Sequence, residues 1–127
     1  MVDQPGNGKR ILIAEDDIFL SNAYSIKLKE LGYDVQVVRN GAEAIKALKE
    51  NKPDLLLLDL VMPGKGGFDV LEEMQKNEAL SVPVFVLSNL AEDQDIETAK
   101  TLGAIDYHVK SDTPIHELVE KIRNLLG

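Results

Sequence analysis

Apolar residues fall along this chain in two alternating patterns. Short runs of four or five residues rich in apolar side chains occur at Ile11–Ala14, Val35–Val38, Leu55–Leu58, Val84–Leu87 and Ile105–Val109. Each is too short for a buried helix and reads as a strand. Between them, apolar residues recur every three or four positions, the helical period. The first helix presents Leu20, Tyr24, Leu28 and Leu31 and is stopped by Gly32. The second, capped by Asn40, presents Ala44, Ile45 and Leu48. The third follows Gly66-Gly67 and presents Phe68, Leu71 and Met74; the fourth presents Ile96, Ala99 and Leu102 and is closed by Gly103. The fourth has the smallest apolar face, which makes it the expected most mobile helix. Thr113 and Pro114 read as the cap and first helical residue of a fifth helix with Ile115, Leu118, Val119, Ile122 and Leu125 inward.

Five strands alternating with five helices predict an α/β fold, a parallel sheet covered by helices on both faces in three layers. The run Leu55-Leu56-Leu57-Leu58 is apolar at every position, the signature of a central strand buried on both sides. Pro53 breaks the chain before it, and Pro83 opens the fourth strand, a place where proline is tolerated. Asp106 interrupts the fifth strand and assigns it to a sheet edge. Neither an internal repeat nor a linker divides the chain, so residues 10–127 form one domain behind a polar, flexible tail over residues 1–9.

Composition narrows the function. An apolar fraction of 44% and a charged fraction of 28% are those of a globular chain able to bury a core. The net charge of −8 argues against direct binding to nucleic acid. The absence of cysteine excludes disulfides, thiolate catalysis and thiolate-bound metals. No run reaches the ~20 apolar residues of a membrane span, and no signal peptide is visible, so a cytoplasmic location is expected.

Chemistry concentrates just past the strands. Glu15, Asp16 and Asp17 follow the first, Asp59 the third, Ser88 the fourth and Lys110 the fifth. In a parallel sheet these residues emerge at one edge, where α/β folds bind ligands. Crowded carboxylates repel unless a cation neutralises them, and oxygen-only donors suit Mg²⁺. With Lys110 as a mobile positive charge and Ser88 as a small donor, such a site fits a phosphoryl group arriving on an aspartate. Asp17 reads as the cap of the first helix rather than a metal ligand, and His108 and His116 read as surface residues.

Four motifs in order, Ile11-Leu12-Ile13-Ala14-Glu15-Asp16, Leu58-Asp59-Leu60-Val61-Met62-Pro63-Gly64, Ser88, and Gly103-Ala104-Ile105-Asp106-Tyr107-His108-Val109-Lys110, give a specific resemblance. Over residues 9–127 the chain resembles the receiver domain of a two-component response regulator. That resemblance implies a flavodoxin-like sheet in the order 2-1-3-4-5. It implies that Asp59 accepts a phosphoryl group from a sensor histidine kinase or a phosphotransfer protein. Asp16, Asp59 and the backbone carbonyl of Val61 would ligate Mg²⁺ or Mn²⁺, with Glu15 acting through a bound water. Ser88 and Lys110 would contact phosphoryl oxygens, and Tyr107 would be an aromatic switch coupled to Ser88. The responding surface would be the fourth helix, fifth strand and fifth helix, controlling a downstream protein or an attached output domain and supporting a homodimer on phosphorylation. Such a protein is a switch rather than an enzyme, with only slow self-phosphorylation from small donors and slow self-dephosphorylation.

Three positions depart from the usual pattern: Ser111 where proline is common after the lysine, Asn89 where a small residue follows the hydroxyl, and Gly66 where a polar residue is frequent. Without proline at 111, the Lys110–Ser111 peptide is expected to be trans, since a cis bond there costs ~3 kcal/mol. Val61 and Leu90, two residues past the acceptor and two past the hydroxyl, are both apolar and cannot orient a water, which predicts a long-lived phosphoryl group. A flavodoxin-type phosphate cradle is disfavoured because Glu15, Asp16 and Asp17 would repel the phosphate. An aspartate-nucleophile phosphatase would need an acid where Val61 stands.

Overall fold

A computed structural model describes residues 8–127, so most of the expected tail lies outside the described residues. In chain order the elements are β1 (Arg10–Ala14), α1 (Ile18–Glu30), β2 (Asp34–Val38), α2 (Gly41–Glu50), β3 (Leu55–Leu58), α3 (Gly67–Lys76), β4 (Val84–Ser88), α4 (Asp93–Thr101), β5 (Asp106–Val109) and α5 (Ile115–Leu126). Short 3-10 turns lie at Glu78–Leu80 and Lys110–Asp112. The five strands are all parallel in the order β2-β1-β3-β4-β5, as the resemblance implied.

The period of two explains why β3 must be leucine throughout. Leu56 and Leu58 point into a core shared with α2, α3 and α4, where Ile45, Leu48, Leu71 and Met74 meet them. Leu55 and Leu57 point the other way, into a core with Tyr24 and Leu28 of α1 and Leu118 and Ile122 of α5. All four leucines are at most 1% exposed, so each contributes about 2 kcal/mol of burial that a polar residue would forfeit. β2 and β5 form the edges, the latter as Asp106 predicted. Among the described residues, no helix is long and apolar enough to cross a membrane.

Several helical details differ from expectation. On α1, Tyr24 and Leu28 are buried, but Leu20 and Leu31 are only half-buried and the small Ser21 and Ser25 take inner positions. Phe68 is half-buried, and Val70 joins Leu71 and Met74 inside α3. On α5 the stripe closes on Leu126, one turn beyond Ile122, and Leu125 turns outward. Pro114 is the N-cap of α5 rather than its first helical residue, with its carbonyl accepting the Glu117 amide at 3.0 Å. The cause is local: the 3-10 turn Lys110–Asp112 consumes the loop, leaving Thr113 extended as the C-cap of that turn, its amide on the Lys110 carbonyl, rather than as the N-cap of α5. On α4 only Ala99 is fully buried, consistent with its thin apolar pattern.

Candidate functional site

Strand register carries the candidate residues to one place. Ala14 lies beside Leu58, Leu58 beside Val86, and Ser88 beside Val109, so the residues just past these positions share the carboxyl edge of the sheet. The ladder runs one step past the strands: the Asp59 amide donates to the Ala14 carbonyl and the Glu15 amide to the Val38 carbonyl, each at 3.0 Å. Beyond Asp59 the chain turns back on itself, with the Val61 amide on Asp59 Oδ1 at 3.2 Å and the Gly67 amide on the Leu60 carbonyl at 3.0 Å. A Cβ at Gly67 would collide with the Asp59 carbonyl, so close approach rather than an unusual φ requires glycine here.

Carboxylate oxygens of Glu15, Asp16 and Asp59 lie within 4.8 Å of one another. Glu15 and Asp59 are buried and Asp16 is exposed, so the cluster opens to water on one side. The Lys110 ammonium bridges the buried pair, 2.9 Å from Asp59 Oδ2 and 2.6 Å from Glu15 Oε1, the second contact lacking hydrogen-bond alignment. Glu15 Oε2 accepts the Asp17 amide at 3.0 Å, and Asp17 Oδ1 caps α1 through the Leu20 amide at 3.1 Å, the role expected of it. Burial pushes the Glu15 carboxyl up to about 7, helped by the Asp59 charge and opposed by Lys110 and the Asp17 amide. Burial alone would lower the Lys110 ammonium, but its contacts with Glu15 and Asp59 outweigh it and hold the group above its usual value.

This donor set fits a hard divalent cation: three carboxylates, oxygen only, one facing solvent and one buried oxygen without a hydrogen bond. Ser88 is fully buried, and its Oγ accepts the Leu90 amide at 3.3 Å. The Tyr107 hydroxyl donates to the Leu90 carbonyl at 2.5 Å. One backbone residue therefore connects the two positions expected to be coupled. The Leu90 side chain packs against the core on the α2–α4 side, whereas Val61 stands 57% exposed. All described peptide bonds are trans, including Lys110–Ser111.

Two residues were misjudged or missed in the sequence. His116 is exposed as expected, but His108 is buried at 4% exposure, edge-on to Phe85 with ring centroids 5.6 Å apart. Its Nε2 lies 3.3 Å from Asp106 Oδ2, which also meets Lys121 of α5, and burial pulls its pKa below the usual value against the pull of Asp106. The surface position expected of His108 is therefore wrong: this face of the edge strand is covered by α5. Arg39, the first residue after β2, donates from Nη1 to the Glu15 carbonyl at 3.2 Å and to Ser21 Oγ at 2.6 Å. Its position gives the signal that could have found it, because it stands just past a strand, as Glu15, Asp59 and Lys110 do.

Comparison with known proteins settles the family. Residues 11–123 match the model of the response regulator receiver domain. The chain belongs to that family. Receiver-domain relatives include the DNA-binding response regulator MtrA of Mycobacterium tuberculosis, 36% identical over 115 residues that cover 91% of this chain and 49% of MtrA. The probable transcriptional regulator ycf27 of Cyanophora paradoxa is 35% identical over 94% of this chain and 49% of its own length. Among solved structures, the BeF3-activated N-terminal receiver domain of Klebsiella pneumoniae RstA superposes with a TM-score of 0.84 at 30% identity, covering 93% of this chain and 98% of that one. The receiver domain described here thus spans about half the length of the curated relatives it matches.

Proposed function

We propose that this receiver domain is a phosphoacceptor switch, accepting a phosphoryl group on Asp59 from a histidine of a sensor kinase or of a phosphotransfer protein. The observation that carries the reading is the buried Asp59 carboxylate, held at 2.9 Å by Lys110 and set within 4.8 Å of Glu15 and Asp16. A carboxylate oxygen of Asp59 attacks phosphorus in line; an O–P bond forms as the N–P bond of the donor breaks, and the departing imidazole keeps the electron pair. Lys110 pairs with one oxygen of the arriving group, and the Ser88 hydroxyl donates to another. Glu15, Asp16, Asp59 and the carbonyl of Val61 would hold Mg²⁺ or Mn²⁺, whose charge offsets that of the carboxylates and phosphoryl oxygens. No other catalysed reaction is assigned, beyond slow self-phosphorylation from small donors and slow self-dephosphorylation.

Rearrangement of Ser88 would reach Tyr107 through Leu90 and alter the surface formed by α4, β5 and α5. That surface would act on a downstream protein or an output domain and support a homodimer. MtrA is named as a DNA-binding protein, but the net charge of −8 argues against nucleic-acid contact by this chain itself. A cytoplasmic setting, where sensor kinases expose their histidines, goes with the reading. Acetyl phosphate with Mg²⁺ should add one phosphoryl group by intact mass, lost with EDTA and abolished in Asp59→Asn. Stoichiometric labelling of that variant would sink the assignment.

A further inference from the structure

The acidic loop after β1 is fastened from β2 by Arg39. The root of this side chain is fixed: its amide donates to Glu43 Oε1 at 3.0 Å, and Glu43 closes a reciprocal cap with Asn40 at the start of α2. Its guanidinium spans to the Glu15 carbonyl and to Ser21 Oγ. Ser21 is fully buried, and its hydroxyl donates to the Ile18 carbonyl at 3.2 Å, leaving lone pairs free for the arginine. The Glu15 amide is held by the Val38 carbonyl. Two consecutive residues, Val38 and Arg39, therefore grip both backbone polar groups of Glu15. The carbonyl held by Arg39 belongs to the peptide that leads into Asp16. Asp16 depends on such support, because among the described residues no hydrogen bond or ion pair holds its exposed carboxylate.

We propose that Arg39 is a positioning residue for the divalent-cation site. By tying the Glu15 carbonyl to the first turn of α1, it fixes where the Asp16 carboxylate meets Glu15 and Asp59. The inference rests on the reading of that cluster as a Mg²⁺ site. Charge and geometry make opposite predictions here. A guanidinium on the Glu15 backbone adds positive charge to the loop that would meet an incoming cation, so if charge were its whole effect, removing it would tighten metal binding. Positioning predicts weaker binding, and partners that orient metal ligands typically carry about 10- to 100-fold in affinity.

The test is calorimetric titration of Mg²⁺ alone into the wild-type chain, Arg39→Met and Arg39→Lys at fixed ionic strength. Ile122→Val, a core change on α5, serves as a control for general destabilisation. Arg39→Met should weaken binding about tenfold or more. Arg39→Lys, keeping the charge and one donor, should recover part of the loss, and Ile122→Val should bind as the wild type does. Wild-type or tighter affinity in Arg39→Met overturns the proposal, as does an equal loss in Ile122→Val. Should Arg39→Met fail to fold, Arg39→Lys decides alone: weaker binding supports positioning and unchanged or tighter binding overturns it. A wild-type chain that takes up no Mg²⁺ would instead defeat the underlying metal-site reading, and that failure is distinct from the first.

Discussion

Val61 and Leu90 occupy equivalent offsets from Asp59 and Ser88, yet their side chains do different things. Val61 stands exposed at the mouth of the site, with its amide on Asp59 Oδ1. Leu90 faces the core and offers the site only its backbone. Of the two apolar guards expected against hydrolytic water, only Val61 has the exposure for the task. Val61→Asn, which introduces a group able to orient a water, should speed loss of the phosphoryl group by on the order of 10-fold to 10²-fold. Leu90→Glu should leave that rate near wild type and instead destabilise the fold by about 1–3 kcal/mol, because it puts a carboxyl against a packed core. Decay followed by mass, beside urea unfolding of the same variants, separates the effects. Fast decay in Leu90→Glu at unchanged stability would mean that its side chain does reach the site.

Between β4 and α4, the loop acts as a connecting rod fixed at Leu90, whose amide is tied to Ser88 and whose carbonyl is tied to Tyr107 of β5. Removing the phenolic hydroxyl in Tyr107→Phe costs one hydrogen bond, about 1 kcal/mol, and should loosen the loop without disturbing Asp59. Hydrogen exchange across residues 89–101 should quicken in that variant while Mg²⁺-dependent labelling is retained; unchanged exchange would show that the bond does not restrain the loop. At this scale the sequence was legible where one pattern determined the outcome. The four leucines of β3 could only be a central strand, and the acids following β1 and β3 could only share its carboxyl edge. It was less legible where two local signals competed. Thr113-Pro114 carried a good helix-start signature, but a 3-10 turn upstream moved the start by one residue. His108 was misread as a surface residue and Arg39 was missed because their roles depend on neighbours supplied by tertiary packing: α5 over one, Glu15 and Ser21 around the other.

Over the whole molecule, Glu15 and His108 pull stability in opposite directions with pH. Burial raises Glu15 from 4.5 to about 7, so the native state keeps a proton that the unfolded chain releases over that interval. Its contribution is present at the acid end and lost as pH rises through about 7. Burial lowers His108 from 6.5, against the opposing charges of Asp106 and Glu117 and in concert with Lys121. The native state then stays neutral while the unfolded chain takes up a proton, so stability is full above about 6.5 and falls as pH drops towards and through the native value. Without divalent ions the two slopes oppose each other below about pH 6.5, where the wild type should change less than either variant, and from there to about 7 the Glu15 slope stands alone. His108→Gln leaves the Glu15 slope uncovered and should gain stability on acidification relative to the wild type; Glu15→Gln should lose it. Saturating Mg²⁺ requires the ionised carboxylates, so it should favour the neutral end, by about 2.7 kcal/mol at a hundred times its dissociation constant, and tilt the wild-type curve towards lower stability in acid. Urea midpoints of the three proteins at about pH 5.5 and about pH 6.5, with and without the ion, measure these slopes. Parallel curves for the two variants would mean that neither buried group titrates between the native and unfolded states as its surroundings require.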